Sequence, residues 1–211
     1  MRWTVVLPAK ALPAAKSRLL PATADPATHR DLVLAMRADT VAAVRAATGV
    51  ARVLVVVDRP GPTPEGVDVL VQRRPGLNAA LTEAAAHAAA AWPDDGVAAV
   101  VGDLPALEPA ELAAALAGAA GHPRAFVPDA AGTGTTMLAA RPGTSLAPSF
   151  GSGSAARHRD VAVELAAGPG LRHDVDTGAD LLAAAVPGAG VVLGPRTAAV
   201  LARSRVTVRS P

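Results

Sequence analysis

The run VAAVVGDLP at residues 97–105 shows the pattern from which we predict the fold. Five apolar residues, three of them valine, precede a glycine, an aspartate and a proline, which is typical of a buried strand that ends in a loop. Similar short runs alternate with longer alanine-rich segments, and this alternation predicts a mostly parallel sheet with helices on both faces. The predicted strands are Trp3–Pro8, Arg52–Asp58, Val67–Val71, Val97–Gly102, Ala125–Pro128 and Thr136–Ala140.

The segments between these strands have the periodicity of amphipathic helices. In the first segment Leu32, Met36 and Val44 share one face, and Gly49 follows where a glycine often ends a helix. The predicted helices are Thr28–Thr48, Leu77–Trp92, Glu108–Ala119, Ser154–Ala166, Thr177–Val186 and Arg196–Ser204. Because no long linker interrupts this alternation, we expect residues 1–211 to form one α/β domain.

The composition excludes several classes of protein. The 211 residues are 51% apolar and 18% charged, which excludes a disordered or fibrous chain. Cysteine is absent, so disulfides, thiolate metal sites and cysteine nucleophiles are excluded. The mean hydropathy of +0.32 comes mainly from scattered alanine, and no apolar run reaches the ~18 residues of a membrane span. The charges nearly balance and aromatics are few, so we expect a soluble, cytoplasmic protein that binds neither nucleic acid nor membrane.

Both lysines of the chain lie in the loop after the first predicted strand. Lys10, Lys16 and Arg18 thus stand in a loop at the carboxyl end of a strand, where open α/β sheets bind their ligands. Every other basic position of the chain carries arginine, so a compact ammonium group is favoured at these two positions. The three cations suit a triphosphate, and the alternative is a solvated loop. The loop lacks the glycine pattern of a P-loop.

Asn78 is the only asparagine of the chain, and it opens the helix predicted after the third strand. Its amide offers both a hydrogen-bond donor and an acceptor, which suits a nucleotide base or ribose. The alternative is that Asn78 caps the helix. The residue type alone does not separate these two roles.

Three aspartates are candidate metal ligands. Asp103 ends the run 97–105, and Asp174 and Asp176 precede a predicted helix. Mg²⁺ binds a few carboxylates together with phosphate oxygens, which suits such a set. Aspartates two residues apart on an extended segment point to opposite faces, so we expect only Asp176 to join Asp103 unless the segment bends. The alternatives are a turn or cap role for Asp103, and a capping role for Asp176 or Thr177.

Glycines alternate with small hydroxyl residues in two segments, GTGTT at 132–136 and FGSGSAARH at 150–158. The backbone N–H and side-chain O–H groups of such segments form cradles for a phosphate or a carboxylate. The alternative is a pair of ordinary flexible loops. We expect His158 to be either a residue that orients this cradle or a surface residue.

Taken in order, these motifs resemble the guanylyltransferases of deazaflavin (coenzyme F-420) biosynthesis, which use 2-phospho-L-lactate in archaea and phosphoenolpyruvate in actinobacteria. The resemblance covers about residues 3 to 185 and is specific as an ordered set, although each motif alone is weak. It is carried by LPAKALPAAKSRLL, GLNAAL, VVGDLPAL, PDAAGTGTTML, FGSGSAARH and DVDTGADL. The alanine- and arginine-rich composition favours the actinobacterial branch.

The resemblance implies a Rossmann-like nucleotidyltransferase fold of the nucleotide-diphospho-sugar transferase type. It implies that phosphoenolpyruvate contacts Thr135, Gly151 and Ser154. The archaeal proteins carry asparagine where this chain has two threonines, and the segment before Gly151 is a residue longer than in close relatives. Thr136 is therefore kept as a second candidate beside Thr135.

The resemblance also implies a metal and a nucleotide site. Asp103 and Asp176 are expected to hold Mg²⁺, with Asp174 as a helper. The expected nucleotide-binding residues are Lys10, Lys16, Arg18 and Asn78. The expected catalytic residues are Asp103, Asp176 and Lys16.

The implied activity joins GTP and phosphoenolpyruvate into enolpyruvyl-diphospho-5′-guanosine and pyrophosphate. 2-Phospho-L-lactate and 3-phosphoglycerate are alternative acceptors, because they differ from phosphoenolpyruvate by small groups that motifs do not rank. The alternative from another class is a non-catalytic nucleotide-binding regulatory module, against which two metal carboxylates argue. A homodimer and the downstream transferase of the pathway are the protein partners that we consider.

Overall fold

A seven-stranded sheet organises the chain. The structure is a computed structural model, and it describes residues 1–9, 19, 23, 25–61, 65–185 and 190–204. The strands are β1 (Trp3–Ala9), β2 (Val50–Val57), β3 (Asp68–Val71), β4 (Gly96–Val100), β5 (Arg124–Pro128), β6 (Thr135–Ala140) and β7 (Val163–Glu164). The helices are α1 (Pro26–Ala46), α2 (Leu77–Ala91), α3 (Pro109–Ala119), α4 (Ser154–Arg159), α5 (Pro169–Arg172), α6 (Gly178–Ala185) and α7 (Pro195–Ser204). Within the described ranges, no helix combines the length and the apolar character needed to cross a membrane.

The strands lie in the order β3-β2-β1-β4-β6-β5-β7. β1 pairs in parallel with β2 and β4, and β2 pairs in parallel with β3. β6 runs antiparallel to both β4 and β5. The carboxyl ends of β1, β2, β3 and β4 therefore share one edge of the sheet, and β6 begins at that same edge.

Helices cover both faces of the sheet, as the sequence predicts. On one face Val5 of β1 packs in a cluster with Val44 of α1 and Leu116 of α3. On the other face Val6 packs in a cluster with Ala84 of α2. Neighbouring residues of a strand point to opposite faces, so both faces can be buried only if the strand is apolar throughout. The continuous valine-rich runs of the sequence meet this requirement.

The segment after Ser154 differs from the prediction. The helix predicted over Ser154–Ala166 ends at Arg159, and the chain then forms β7, which pairs in parallel with β5. The N–H of Leu165 donates to the carbonyl oxygen of Phe126 at 2.9 Å. Pairing with an exposed strand edge thus outweighs local helix propensity, and the β-branched Val161 and Val163 also favour the strand.

The predicted last helix is present as α7, and it packs against α1. Asp39 of α1 is buried, and its carboxylate accepts the N–H groups of Arg196 at 3.2 Å and Thr197 at 2.8 Å. The N–H of Gly194 donates to the carbonyl oxygen of Pro105 at 2.7 Å. A side chain of α1 therefore caps the first turn of α7 and holds it beside the loop that follows β4.

Candidate functional site

Three carboxylates meet at the carboxyl edge of the sheet. Asp103, Asp174 and Asp176 each offer an oxygen atom, and these oxygens lie within 4.8 Å of one another. The N–H of Val175 donates to the carbonyl oxygen of Asp103 at 3.0 Å, which ties the two segments together. The segment therefore bends, which is the condition under which both Asp174 and Asp176 can join Asp103.

The bend arises because Asp174–Asp176 links two short helices rather than extending a strand. α5 ends at Arg172 with His173 as its C-cap, and the hydroxyl and N–H of Thr177 donate to the Asp180 carboxylate at 2.9 and 2.7 Å. The N–H of Asp180 donates back to the Thr177 hydroxyl at 3.3 Å. Thr177 thus caps α6, which confirms it as one of the two capping candidates.

The donor set fits a hard divalent cation. It consists of carboxylate oxygens only, which Mg²⁺ and similar ions prefer to nitrogen or sulfur ligands. Asp103 and Asp174 are half-buried and Asp176 is exposed, so the cluster is open on one side. Three negative charges this close repel one another, and a bound cation removes that repulsion.

Arg37 is a site residue that the sequence analysis missed. It lies half-buried on α1, where burial lowers its pKa while the negative charges of Asp103 and Asp58 act in the opposite direction. One turn later, the hydroxyl of Thr40 accepts the N–H of Leu104 at 3.1 Å, which joins α1 to the loop of Asp103. An arginine within the apolar stripe of a predicted helix was the only signal, and it is weak.

The end of β1 lies beside Gly102, the residue that precedes Asp103. A Cβ added at Gly102 would lie 3.0 Å from the carbonyl oxygen of Pro8, near the end of β1. Gly102 therefore admits a close approach by the backbone of β1. The expected phosphate-binding residues of the loop after β1, Lys10, Lys16 and Arg18, lie outside the described residues.

The residues expected to hold the acceptor lie together. β6 is antiparallel to β4, so Thr135 at its start lies near the end of the strand that precedes Asp103. The Oγ atoms of Ser154 and Thr135 are 3.0 Å apart, and the N–H of Ser154 donates to the carbonyl oxygen of Gly151 at 3.0 Å. Thr136, the second candidate, is fully buried, and its hydroxyl donates to a strand carbonyl.

The loop before α4 is held by hydrogen bonds from a side chain of α4. Gly151 and Gly153 have φ angles of +117° and +69°, a region that favours glycine. The Arg157 guanidinium donates to the carbonyl oxygens of Ser149 at 2.9 Å and Ser152 at 2.8 Å. These contacts fix the backbone that carries the N–H groups of the expected cradle.

Asn78 holds the same loop from the other side. Its amide nitrogen donates to the carbonyl oxygen of Phe150 at 3.0 Å, and its amide oxygen accepts the N–H of Phe150 at 2.7 Å. The N-cap of α2 is Gly76, so the capping alternative for Asn78 is wrong. The structure places Asn78 as a clamp on the 150–153 loop, and its contact with a nucleotide stays a prediction.

His158 is fully buried beside the two hydroxyls, so the surface alternative is wrong. Its Nδ1 lies 2.8 Å from the Thr135 hydroxyl oxygen. Burial, and secondly the positive charge of Arg157, lower the pKa of His158 to about 4. The ring is therefore neutral near pH 7.

Comparison with solved structures supports the nucleotidyltransferase-like fold. A candidate nucleotide-diphospho-sugar transferase from Desulfovibrio desulfuricans G20 superposes with a TM-score of 0.71. The match covers 98% of this chain and 97% of that chain at 15% sequence identity. At this identity the likeness shows the fold, which agrees with the predicted α/β class.

Sequence comparison shows the family. The family model described as "Guanylyl transferase CofC like" matches residues 3–191. A phosphoenolpyruvate guanylyltransferase from Streptomyces coelicolor is 51% identical over 96% of this chain and 97% of its own. A protein of the same name from Geodermatophilus obscurus is 50% identical over 94% of each chain. This chain therefore belongs to the guanylyl transferase CofC-like family, as its ordered motifs predicted.

Proposed function

We propose that this protein is the phosphoenolpyruvate guanylyltransferase of coenzyme F-420 biosynthesis. It would join GTP and phosphoenolpyruvate to give enolpyruvyl-diphospho-5′-guanosine and pyrophosphate. Relatives of that name at about half identity over nearly the whole chain support the proposal. The observation that carries it is the acidic cluster around Asp103 at the same sheet edge as the Thr135–Ser154 hydroxyl pair.

The reaction needs no nucleophile from the protein. A phosphate oxygen of phosphoenolpyruvate attacks the α-phosphorus of GTP, and a new P–O bond forms. The bond from the α-phosphorus to the bridging oxygen of the β-phosphate breaks, and pyrophosphate leaves with that electron pair. Because the acceptor phosphate is ionised near pH 7, the protein has only to align the reactants and offset their charge.

Two groups of described residues would align the reactants and offset their charge, together with the cations of the loop after β1. Asp103, Asp174 and Asp176 would hold Mg²⁺, and a bound divalent ion neutralises charge on phosphate oxygens. Thr135, Gly151 and Ser154 would hold the three-carbon acid. The loop cations Lys10, Lys16 and Arg18 would pair with the β- and γ-phosphates, with Lys16 as the catalytic cation.

The identity of the acceptor is tested by pyrophosphate release from GTP and Mg²⁺ with a panel of acids. Phosphoenolpyruvate is expected to give the highest kcat/KM among phosphoenolpyruvate, 2-phospho-L-lactate and 3-phosphoglycerate. A higher kcat/KM for one of the other two acids would identify that acid as the acceptor and leave the proposed reaction class unchanged. Binding of GTP without pyrophosphate release with any acid would instead support the regulatory module.

Replacing Asp103 with asparagine tests the acidic cluster. We expect Asp103→Asn to lower kcat/KM by about 10²-fold or more, because a neutral amide binds a divalent cation weakly. The melting temperature should stay near that of the wild type. The matched control is Asp94→Asn, an exposed aspartate before the amino end of the same strand, which should keep full activity. An active Asp103→Asn enzyme would refute the metal assignment.

A further inference from the structure

The hydrogen bonds of His158 define which ring nitrogen carries the proton. The backbone N–H of Ser149 lies 3.0 Å from Nε2, and an amide N–H can only donate. Nε2 is therefore the acceptor and carries no hydrogen. A neutral imidazole has one N–H group, so Nδ1 carries it and donates to the Thr135 hydroxyl oxygen 2.8 Å away.

This donation leaves one hydroxyl proton for a ligand. Thr135 and Ser154 carry two hydroxyl protons, and their oxygens are 3.0 Å apart, so one proton lies between them. Because His158 donates to Thr135 and takes nothing from it, the second proton stays available to a partner outside the pair. The opposite tautomer, with a bare Nδ1, would accept one of these two protons.

The surroundings of the ring hold this arrangement in place. His158 is fully buried, and its ring packs against Phe150 at 5.3 Å and Phe126 at 5.8 Å between centroids. The low pKa of His158 keeps the ring neutral near pH 7. A charged ring would also carry a hydrogen on Nε2, directly opposite the N–H of Ser149.

We infer that His158 is a positioning residue for the acceptor acid, because its Nδ1–H group keeps a hydroxyl proton of the Thr135–Ser154 pair available to an anionic oxygen. This inference rests on the proposed function, in which that pair holds the acceptor. The partner is a carboxylate or phosphate oxygen of the acid, since only an acceptor can use the remaining proton. His158 acts through Thr135 and touches no reacting atom.

Three substitutions at His158 separate the positioning role from packing. His158→Phe keeps the ring shape and loses both hydrogen bonds. The longer side chain of His158→Gln places its amide at the former Nε2, where the amide oxygen can accept the N–H of Ser149 and no donor is placed at the former Nδ1. His158→Asn instead places an amide N–H near the former Nδ1, where it can donate to Thr135. KM for phosphoenolpyruvate and for GTP, kcat, and the melting temperature are measured for each variant.

We expect His158→Phe and His158→Gln to raise KM for phosphoenolpyruvate about tenfold, the effect of one lost hydrogen bond to a charged group. KM for GTP should change less than about twofold. His158→Asn should restore KM for phosphoenolpyruvate to within about threefold of the wild type, even though the smaller side chain lowers the melting temperature. Equal KM values for phosphoenolpyruvate in His158→Asn and His158→Phe, or a parallel rise in KM for GTP, would mean that His158 has only a packing role.

A measurement on the unaltered protein gives an independent answer. The ¹⁵N chemical shifts of the His158 ring at about pH 7 should show a protonated Nδ1 and a bare Nε2. The opposite tautomer, or a charged ring, would overturn the inference.

Failure of the proposed function is distinguishable from failure of this inference. If the wild type uses another acid of the panel, the same variants are compared by KM for that acid. If it turns over no acid, calorimetric Kd values for phosphoenolpyruvate replace KM. In both cases the order of the KM or Kd values of the Phe, Gln and Asn variants still decides the role of His158.

Discussion

The buried imidazole of His158 also makes the stability of the fold depend on pH. Its pKa is about 4 in the folded protein, against an ordinary value of 6.5. Between these values the unfolded chain binds more protons than the folded one, so stability is complete above about pH 6.5 and falls as the pH drops. We expect His158 to account for about 2 kcal/mol of lost unfolding free energy between pH 7.5 and pH 5.

Urea unfolding at the two pH values measures this loss. The carboxyl groups also titrate in acid, so the wild type is compared with His158→Asn, which lacks the ring and keeps the other charges. The loss from pH 7.5 to pH 5 should be smaller in the variant. Equal losses in both proteins would mean that the folded imidazole takes up a proton as readily as a solvated one.

At the scale of elements, a contact between α3 and α5 positions one side of the acidic cluster. Glu111 of α3 closes a capping box with Glu108, and its carboxylate also accepts the N–H of Gly170 at 3.1 Å. A Cβ at Gly170 would overlap the Ala106 carbonyl oxygen and the Glu111 carboxylate. Only glycine therefore lets α5 pack here, and α5 leads directly into Asp174.

Replacing Gly170 with alanine should displace α5 and the aspartates that follow it. We expect Gly170→Ala to lower the unfolding free energy by about 2 kcal/mol and to weaken binding of Mg²⁺ or Mn²⁺ measured by calorimetry. The control is Gly118→Ala within α3, where the new Cβ would meet the Leu165 side chain at an ordinary 3.7 Å. This control should be neutral or stabilise the protein by up to about 1 kcal/mol. Unchanged metal affinity in Gly170→Ala would mean that the packing of α5 does not position the metal-binding aspartates.

At the scale of the whole molecule, the edge of the sheet opposite Asp103 carries a cluster of charged residues that stabilises the fold. At the amino end of β4, the buried Asp95 carboxylate accepts hydrogen bonds from Arg2 at 3.0 Å and Arg52 at 2.8 Å. Arg52 also lies 4.8 Å above the centre of the Trp92 ring. This cluster ties β1, β2 and β4 together on the side away from Asp103.

Because the Asp95 cluster lies at the opposite edge of the sheet from Asp103, its loss is expected to lower stability and to leave activity unchanged. Asp95→Ala should lower the unfolding free energy by about 2 kcal/mol, because it leaves both arginines without their buried partner. The folded enzyme should keep its kcat and both KM values at about 15 °C, since no site residue is touched. Urea unfolding and steady-state kinetics check these two results, with Asp94→Asn as the exposed control. A loss of kcat in fully folded Asp95→Ala would show that the edges are coupled.

The sequence by itself determined the periodic features of this protein. The continuous valine-rich strands, the amphipathic α1 and the position of Asp103 after β4 all follow from local patterns, because burial on two faces demands an apolar strand. Carboxyl ends of parallel strands share an edge, so the edge of the sheet that carries the candidate site could also be predicted. The ordered motifs were enough to indicate the family.

Only the tertiary structure decided how side chains meet across segments. That Asp174 joins Asp103 depends on a bend between α5 and α6, and that Asn78 binds the Phe150 backbone depends on α2 lying against a loop 72 residues away. The same holds for the short β7, which forms on a free strand edge. Local patterns specify which residues are buried, whereas these contacts depend on packing between segments far apart in sequence, and packing has no local signature.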